Sequence, residues 1–121
     1  MARSLLVKVA CDLSAAERLN QALTVSATAA ASGVQVSVWL AAEPARLAVP
    51  GFAETLPELP HAVPVSELRD TLLDLAQVTV CAQCAKRRDL TEADLLPGAR
   101  IAGAAAFVEE SLVEGVQALV Y

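Results

Sequence analysis

Short apolar runs alternate along the chain with longer stretches whose apolar residues recur at helical spacing. The apolar runs predict five strands, over residues 5–9, 34–40, 78–81, 99–102 and 116–120. The stretches between them predict helices, over residues 14–32, 66–76 and 104–114, with a short one near residue 91. Strands separated by helices form parallel β-α-β units. We therefore predict a three-layer α/β/α sandwich on a five-stranded, mostly parallel sheet, with residues 1–121 as a single domain.

Residues that favour helix ends set the predicted boundaries. Ser14 and Glu17 have the spacing of a capping box, and Gly33 is placed to end the same helix. Ser66 is the expected N-cap of the next long helix, and residues 91–94 carry a weaker cap signal. The proline-rich segment 43–64 predicts irregular structure with one helical turn near residues 45–48. Three glutamates of the last helix are expected to face water: Glu109, Glu110 and Glu114.

Composition and charge narrow the class of protein. The chain is 55% hydrophobic with a net charge of −5, which is too apolar for a disordered chain and too acidic to suggest a nucleic-acid surface. No charged side chain lies between Arg18 and Glu43, but polar residues and Gly33 within this stretch predict a buried helix, a turn and a strand rather than a membrane span. Lys8 interrupts the first apolar run, so we expect no signal peptide and a cytoplasmic location.

The three cysteines are the candidate chemistry. Cys11 follows the first predicted strand and Cys81 ends the third, so both belong to the edge where the carboxyl ends of parallel strands meet. Cys84 follows three residues after Cys81, and a helix beginning at Ala82 would favour a Cys81 thiolate at its N-terminus. Nearby positive charge comes from Lys86, Arg87 and Arg88. We therefore predict that Cys81 is the nucleophile and that Cys84 can attack it within one helical turn.

Other roles for these residues stay open. Cys11 alone is more typical of a packed core residue, and the basic run 86–88 is more typical of a solvated helix face. A Cys₃His zinc site would need the loop that carries His61 to fold over the strand ends, and the chain has no second Cys-x-x-Cys pair. A thioredoxin-like dithiol is disfavoured, because the pair follows the third strand with no aromatic residue before it. We expect no metal and, since the first β-α turn lacks glycine, no dinucleotide cofactor.

Taken together, these features resemble the DsrE/DsrF-like family, which includes the TusD-type proteins. The resemblance spans essentially the whole chain and is sharpest over residues 78–88. There a strand ends in a cysteine, a short Ala-rich helix follows, and two arginines come six and seven residues after the cysteine, a spacing matched by Cys81, Arg87 and Arg88. Cys84 has no counterpart in the TusD-type pattern, although small stand-alone relatives carry such a pair.

The resemblance implies a sulfur-relay role that needs no cofactor. Cys81 would carry a persulfide between sulfur donor and acceptor proteins, Cys84 would assist release, Cys11 would be a third thiol, and residues 86–88 would favour the anionic form. Family members commonly form trimers or hexamers, homomeric or mixed, and we expect this chain to form a homo-oligomer. Two alternatives remain: a dithiol redox protein that uses Cys81 and Cys84, and a non-catalytic oligomeric scaffold whose thiols are incidental.

Overall fold

One parallel sheet organises the chain. The computed structural model describes residues 3–121, and its strands are β1 (Ser4–Val9), β2 (Gln35–Leu40), β3 (Gln77–Cys81), β4 (Ala99–Ala102) and β5 (Val116–Val120). All paired strands run parallel, in the spatial order β4-β3-β2-β1-β5. The predicted α/β fold class is confirmed, and the sheet is parallel throughout rather than mostly parallel.

Helices cover the two faces of the sheet unequally. The helices are α1 (Ala16–Ala31), α2 (Val65–Leu75), α3 (Ala82–Arg87) and α4 (Ala104–Ser111), and 3₁₀ turns span Glu43–Ala48, Ala53–Thr55 and Glu92–Asp94. The first four strands step outward in one direction. With the right-handed crossovers that parallel β-α-β units adopt, this order places α1, α2 and α3 on one face. The return to β5, on the other side of β1, places α4 on the opposite face. The layers are therefore a thick helical face and a thin face that carries a single short helix among residues 3–121.

The main hydrophobic core lies under the thick face. Alternate strand residues enter it, because side chains point to opposite faces along a strand; they include Val7, Val9, Val38, Leu40, Val78 and Val80. The helix α1 adds Leu19 and Leu23, which are almost completely buried. The apolar stretch 19–42 is α1, a turn and β2, as predicted, and no helix within residues 3–121 is long and apolar enough to cross a membrane.

Helix starts depart from the sequence prediction at two places. Ser14 does not cap α1: both its N–H and its hydroxyl donate to Asp12 Oδ1, at 2.8 and 2.9 Å, and Ala15 is the N-cap. Asp12 competes successfully for Ser14 because a carboxylate two residues earlier forms a local turn. Ser66 is not a cap either, since Pro64 occupies the N-cap of α2. The capping box of Thr91 and its aspartate three residues later is confirmed, although it begins only a 3₁₀ turn.

The prediction that Glu110 faces water is wrong. Its Oε1 accepts hydrogen bonds from the Ser37 hydroxyl at 2.6 Å and from Trp39 Nε1 at 3.2 Å, and its Oε2 accepts from Arg100 Nη2 at 2.7 Å. Arg100 in turn donates from Nε to Thr79 Oγ1 at 2.8 Å. These bonds satisfy polar groups on the thin face of three neighbouring strands. Glu110 therefore fastens α4 to the sheet, which a helical periodicity argument cannot show.

Removal of the Glu110 carboxylate is expected to loosen the thin face. The Glu110→Ala substitution should lower the free energy of unfolding by about 1–3 kcal/mol, because it leaves Trp39 Nε1 without its acceptor and Arg100 Nη2 without its ion-pair partner. Urea unfolding followed by Trp39 fluorescence measures the change. The neighbouring Glu109→Ala is the matched control, since Glu109 is exposed, and it should stay within about 0.5 kcal/mol of the parent chain. Equal stabilities for the two variants would contradict this account.

Candidate functional site

Cys81 is placed where the third strand becomes a helix. It is the last residue of β3, the N-cap of α3, and partly buried. The helix begins at Ala82, which meets the condition that the sequence argument set for a Cys81 thiolate at a helix N-terminus. In an open parallel sheet this carboxyl edge is where ligands and chemistry gather. The Cys81 thiol is thus partly accessible to solvent, and the junction of β3 and α3 fixes its backbone.

The Cys81 thiol has a pKa below its ordinary value. Burial raises the pKa, but other effects outweigh it: the N–H of Cys84, the Cys84 thiol, the N–H of Gln83 and the positive charge of Lys8 all favour the thiolate. The two amides belong to the first turn of α3, where N–H groups have no partner within the helix. Because the thiolate is the nucleophilic form, the local structure activates this cysteine.

Cys84 is held by the loop that follows β2. It is buried, and its Sγ accepts a hydrogen bond from the backbone N–H of Ala42 at 3.1 Å. Ala42 has φ of +53°, a left-handed conformation that is uncommon for a residue with a side chain. The strained loop and the α3 thiol therefore meet directly behind Cys81. A sulfur fixed in this way can donate its proton toward Cys81 while it accepts from Ala42.

The three basic residues 86–88 have different surroundings. Lys86 and Arg87 are exposed, whereas Arg88 donates to Glu43 Oε1 from Nη2 at 2.8 Å and to the Cys84 carbonyl from Nη1 at 3.1 Å. The hydrogen bond from Arg88 holds the pKa of Glu43 below its ordinary value. Arg88 therefore ties the end of α3 to the loop that carries Ala42. The predicted role of all three basic residues in stabilising the thiolate stays a prediction.

Lys8 is the site residue that sequence reasoning missed. Its ammonium lies 5.0 Å from the centre of the Phe107 ring and contributes to the lowered pKa of Cys81. The available signal was a single charged residue inside the otherwise apolar first strand. Its importance depends on the pairing of strands, because it is distant from Cys81 in the sequence but belongs to the same sheet.

Cys11 and His61 do not join this arrangement. Cys11 is buried in the main core, and burial raises the pKa of its thiol. No hydrogen bond within residues 3–121 joins it to Cys81 or Cys84. The predicted role of Cys11 as a third thiol of the site therefore has no supporting contact there. His61 lies exposed in the loop before α2. Within the described part of the chain, no three His, Cys, Asp or Glu side chains come together in a way that could hold a metal ion.

A well-defined groove lies away from the thiols. It is an open groove of about 700 Å³ between α4 and the amino-terminal ends of the strands, with Ser37, Gln77, Arg100 and Glu110 among its lining residues. Parallel strands present their amino and carboxyl ends at opposite edges, so Cys81 is at the far side of the sheet. The groove lining contains no cysteine or histidine. The candidate site is therefore the cysteine edge and not this groove.

The Cys84 thiol is expected to control the ionisation of Cys81. Cys84→Ala removes a hydrogen-bond donor, so the pKa of Cys81 should rise and its half-maximal alkylation rate should move to higher pH. Cys84→Ser keeps a donor and should shift the curve less. The measurement is the rate of iodoacetamide alkylation against pH, with Cys81 identified by peptide fragmentation. Cys11→Ala is the control and should leave the curve in place; an unchanged curve in Cys84→Ala would contradict the assignment.

Comparisons with known proteins identify the family and two structures of the same fold. The model of the DsrE/DsrF-like family matches residues 8–113. No curated protein sequence gives a significant match. Two solved structures share the fold over 100% of both chains: the YchN protein of E. coli, with a TM-score of 0.69 at 14% identity, and the protein of unknown function MTH1491 from Methanobacterium thermoautotrophicum, with a TM-score of 0.64 at 15% identity. The TM-scores establish a common fold. The family match over most of the sequence shows that the chain belongs to the DsrE/DsrF-like family.

Proposed function

We propose that the protein is a cytoplasmic sulfur carrier in which Cys81 accepts a sulfane sulfur as a persulfide. The observation that carries the proposal is a partly buried cysteine at the carboxyl edge of the sheet whose pKa lies below its ordinary value. Membership of the DsrE/DsrF-like family supports a function of the sulfur-relay type. The chemistry requires a reduced thiol, which the cytoplasm maintains.

In the loading step, the Cys81 thiolate attacks the outer sulfur of a donor persulfide. A new S–S bond forms on Cys81, the S–S bond of the donor breaks, and the donor departs as a thiolate. The oxidation level of the transferred sulfur moves with it, so the step needs neither an oxidant nor a cofactor. The amides of Gln83 and Cys84 favour the negative charge on Cys81 before attack.

Release uses the second thiol. Cys84 as a thiolate attacks the inner sulfur of the Cys81 persulfide, so that a Cys81–Cys84 disulfide forms and hydrosulfide leaves; an external dithiol then reduces the disulfide. An acceptor thiolate that attacks the outer sulfur instead regenerates the Cys81 thiolate directly. The contact of the two cysteines within one turn of α3 supports a role for Cys84 in the first route.

A dithiol redox protein is the second candidate function. The same contact between Cys81 and Cys84 favours it, because a resolving thiol next to an activated thiol is the arrangement from which a reversible disulfide forms. The two functions differ in mass change. A carrier gains one sulfur atom, whereas a dithiol redox protein loses two hydrogens under a mild oxidant such as a dilute peroxide.

Sulfur loading is expected to depend on Cys81. The reduced protein is incubated with a cysteine desulfurase and cysteine, and separately with a rhodanese and thiosulfate, and intact mass and peptide mapping then locate added sulfur. The wild-type chain should gain one reductant-labile sulfur on the Cys81 peptide, and Cys81→Ser should gain none. Cys84→Ser should load normally and release more slowly.

The contrary outcomes are distinct. Loading of Cys81→Ser at the wild-type level would overturn the carrier assignment. A loss of two hydrogens linking Cys81 and Cys84, with no added sulfur, would favour the dithiol redox protein. If the mass shows neither an added sulfur nor a loss of two hydrogens, the remaining function is that of a scaffold that acts through its contacts with other proteins.

The proposal includes self-association through an apolar patch on and after α4 and on β5, with trimers or hexamers as the expected forms. Large apolar side chains stay exposed on and after α4 and on the edge strand β5; they are Val108, Leu112, Val113 and Val120. Patches of this kind are typical of protein interfaces. The donor and acceptor proteins are then expected to approach the carboxyl edge, where the thiols lie.

Sedimentation tests the assembly. Leu112 is 78% exposed, so Leu112→Arg costs the monomer little but puts a charge into the proposed interface. The wild-type chain should sediment as an oligomer and Leu112→Arg as a smaller species. The control is Val63→Arg, because Val63 is also exposed but lies in the loop before α2. A monomeric wild-type chain would contradict the expectation.

A further inference from the structure

Strand pairing brings Lys8 to the same face of the sheet as Cys81. Lys8 is the register partner of Trp39, and Trp39 is the partner of Thr79. Cys81 lies two residues beyond Thr79 on β3, and side chains two residues apart point to the same face of a strand. Both residues are also close to the carboxyl ends of their strands. Both residues therefore lie at the carboxyl edge of the sheet, with β2 between their strands, and the charge of Lys8 reaches the Cys81 thiol.

The position of the Lys8 ammonium is fixed by aromatic residues. It lies 5.0 Å from the centre of the Phe107 ring, a distance at which the ring attracts a cation. Phe107 itself meets Trp39 edge-to-face, with ring centres 5.3 Å apart and planes at 85°. Trp39 is buried, and its indole N–H is bonded to Glu110. A chain of packed contacts from the sheet to α4 thus holds the lysine in place.

The charge of Lys8 is not neutralised by a carboxylate. None of the ion pairs found within residues 3–121 includes it, whereas Arg88 pairs with Glu43 and Arg100 pairs with Glu110. The residue is only partly exposed, so its field is less screened than that of a fully solvated side chain. The thin face consequently carries, near its carboxyl edge, a partly buried positive charge that no carboxylate among the described residues pairs, because the Glu110 carboxylate on this face is paired with Arg100.

We propose that Lys8, held over Phe107, makes the Cys81 edge an anion-binding site that selects negatively charged sulfane donors and holds the persulfide anion of Cys81. This inference rests on the proposed sulfur-carrier function and names the class of donor for that site. Lys8 attracts the donor, the Cys81 thiolate takes the outer sulfur as described above, and the donor leaves as a thiolate. The new persulfide then loses its proton to solvent, and its terminal sulfur anion lies within the field of the ammonium.

Two alkylating reagents of similar size and opposite charge character test the site without any sulfur transfer. Iodoacetate is an anion and iodoacetamide is neutral, so the ratio of their rates at Cys81 reports the local potential. Lys8→Met, which keeps an apolar stem against Phe107, should lower this ratio by about 3–10-fold, the effect of one partly screened charge. Lys8→Arg should preserve it. Alkylated Cys81 and Cys84 share one tryptic peptide and are separated by fragmentation.

The controls separate a local field from net charge. Arg18→Gln removes one positive charge from the exposed surface of α1 and should leave the ratio unchanged. Lys86→Gln removes a charge from the basic run and should change the ratio less than Lys8→Met. A Lys8→Met ratio equal to the wild-type ratio would overturn the proposal, as would an equal fall in Arg18→Gln. Circular dichroism confirms that each variant is folded, and Lys8→Gln replaces Lys8→Met if the latter is not.

Two persulfide donors test selection in the transfer itself. Glutathione persulfide carries net negative charge, whereas cysteamine persulfide carries an ammonium group. Lys8→Met should slow loading from glutathione persulfide by a similar 3–10-fold relative to cysteamine persulfide. Equal slowing from both donors would overturn the selectivity while the carrier function stands. No loading of the wild-type chain from either donor would instead overturn the carrier function, and the alkylation ratio would still decide the role of Lys8.

Discussion

The parallel register of β1, β2 and β3 is the constraint on which the candidate site depends. It sets Lys8, Trp39 and Thr79 side by side and brings all three strand ends to one edge. The connections between the strands then place α3 directly after Cys81 and α4 on the opposite face of the sheet from α1 and α2. A slip of one residue in β1 would turn Lys8 into the main core and expose Val7, so the burial of the core and the position of the cation are specified together.

The pKa of Cys81 is lowered because several modest interactions that favour its thiolate outweigh the opposing effect of burial. Burial alone would keep Cys81 protonated, as it does Cys11. What differs is that Cys81 adjoins free amides of a helix start, a second thiol and a cation, whereas Cys11 lies among apolar side chains. Two cysteines at the same edge of one sheet therefore have opposite shifts in pKa. Position along the strand matters less here than the groups that face each sulfur.

Much of the fold could be predicted from the sequence because it depends on periodic burial. The five strands follow from the apolar runs. The end of α1 just before Gly33 follows from that glycine, which has a φ of +91°. The predictions that were wrong concern polar side chains with more than one available hydrogen-bond partner, because a sequence pattern does not show which partner is used. Ser14 could either cap α1 or donate to the Asp12 carboxylate, and it donates to Asp12. Glu110 looked solvated because its partners come from strands far away in the sequence.

The same distinction explains what could be predicted of the site. Cys81 and Cys84 could be proposed from the sequence because their spacing and their place after a strand are local features. Lys8 and Ala42 were not found, since their proximity to the thiols requires knowledge of strand order. The basic run next to Cys84 attracted attention by adjacency alone, yet Arg88 is bonded to Glu43 and Lys86 points into solvent.

A chase of labelled sulfur tests the central claim most directly. Cys81 is loaded with isotopically labelled sulfane sulfur, excess donor is removed, and a small acceptor thiol is added. The account predicts that the label leaves the Cys81 peptide and appears on the acceptor as persulfide or as hydrosulfide, one sulfur per chain. Label that stays on Cys81, or that never attaches to it, would contradict the assignment of this residue as the carrier.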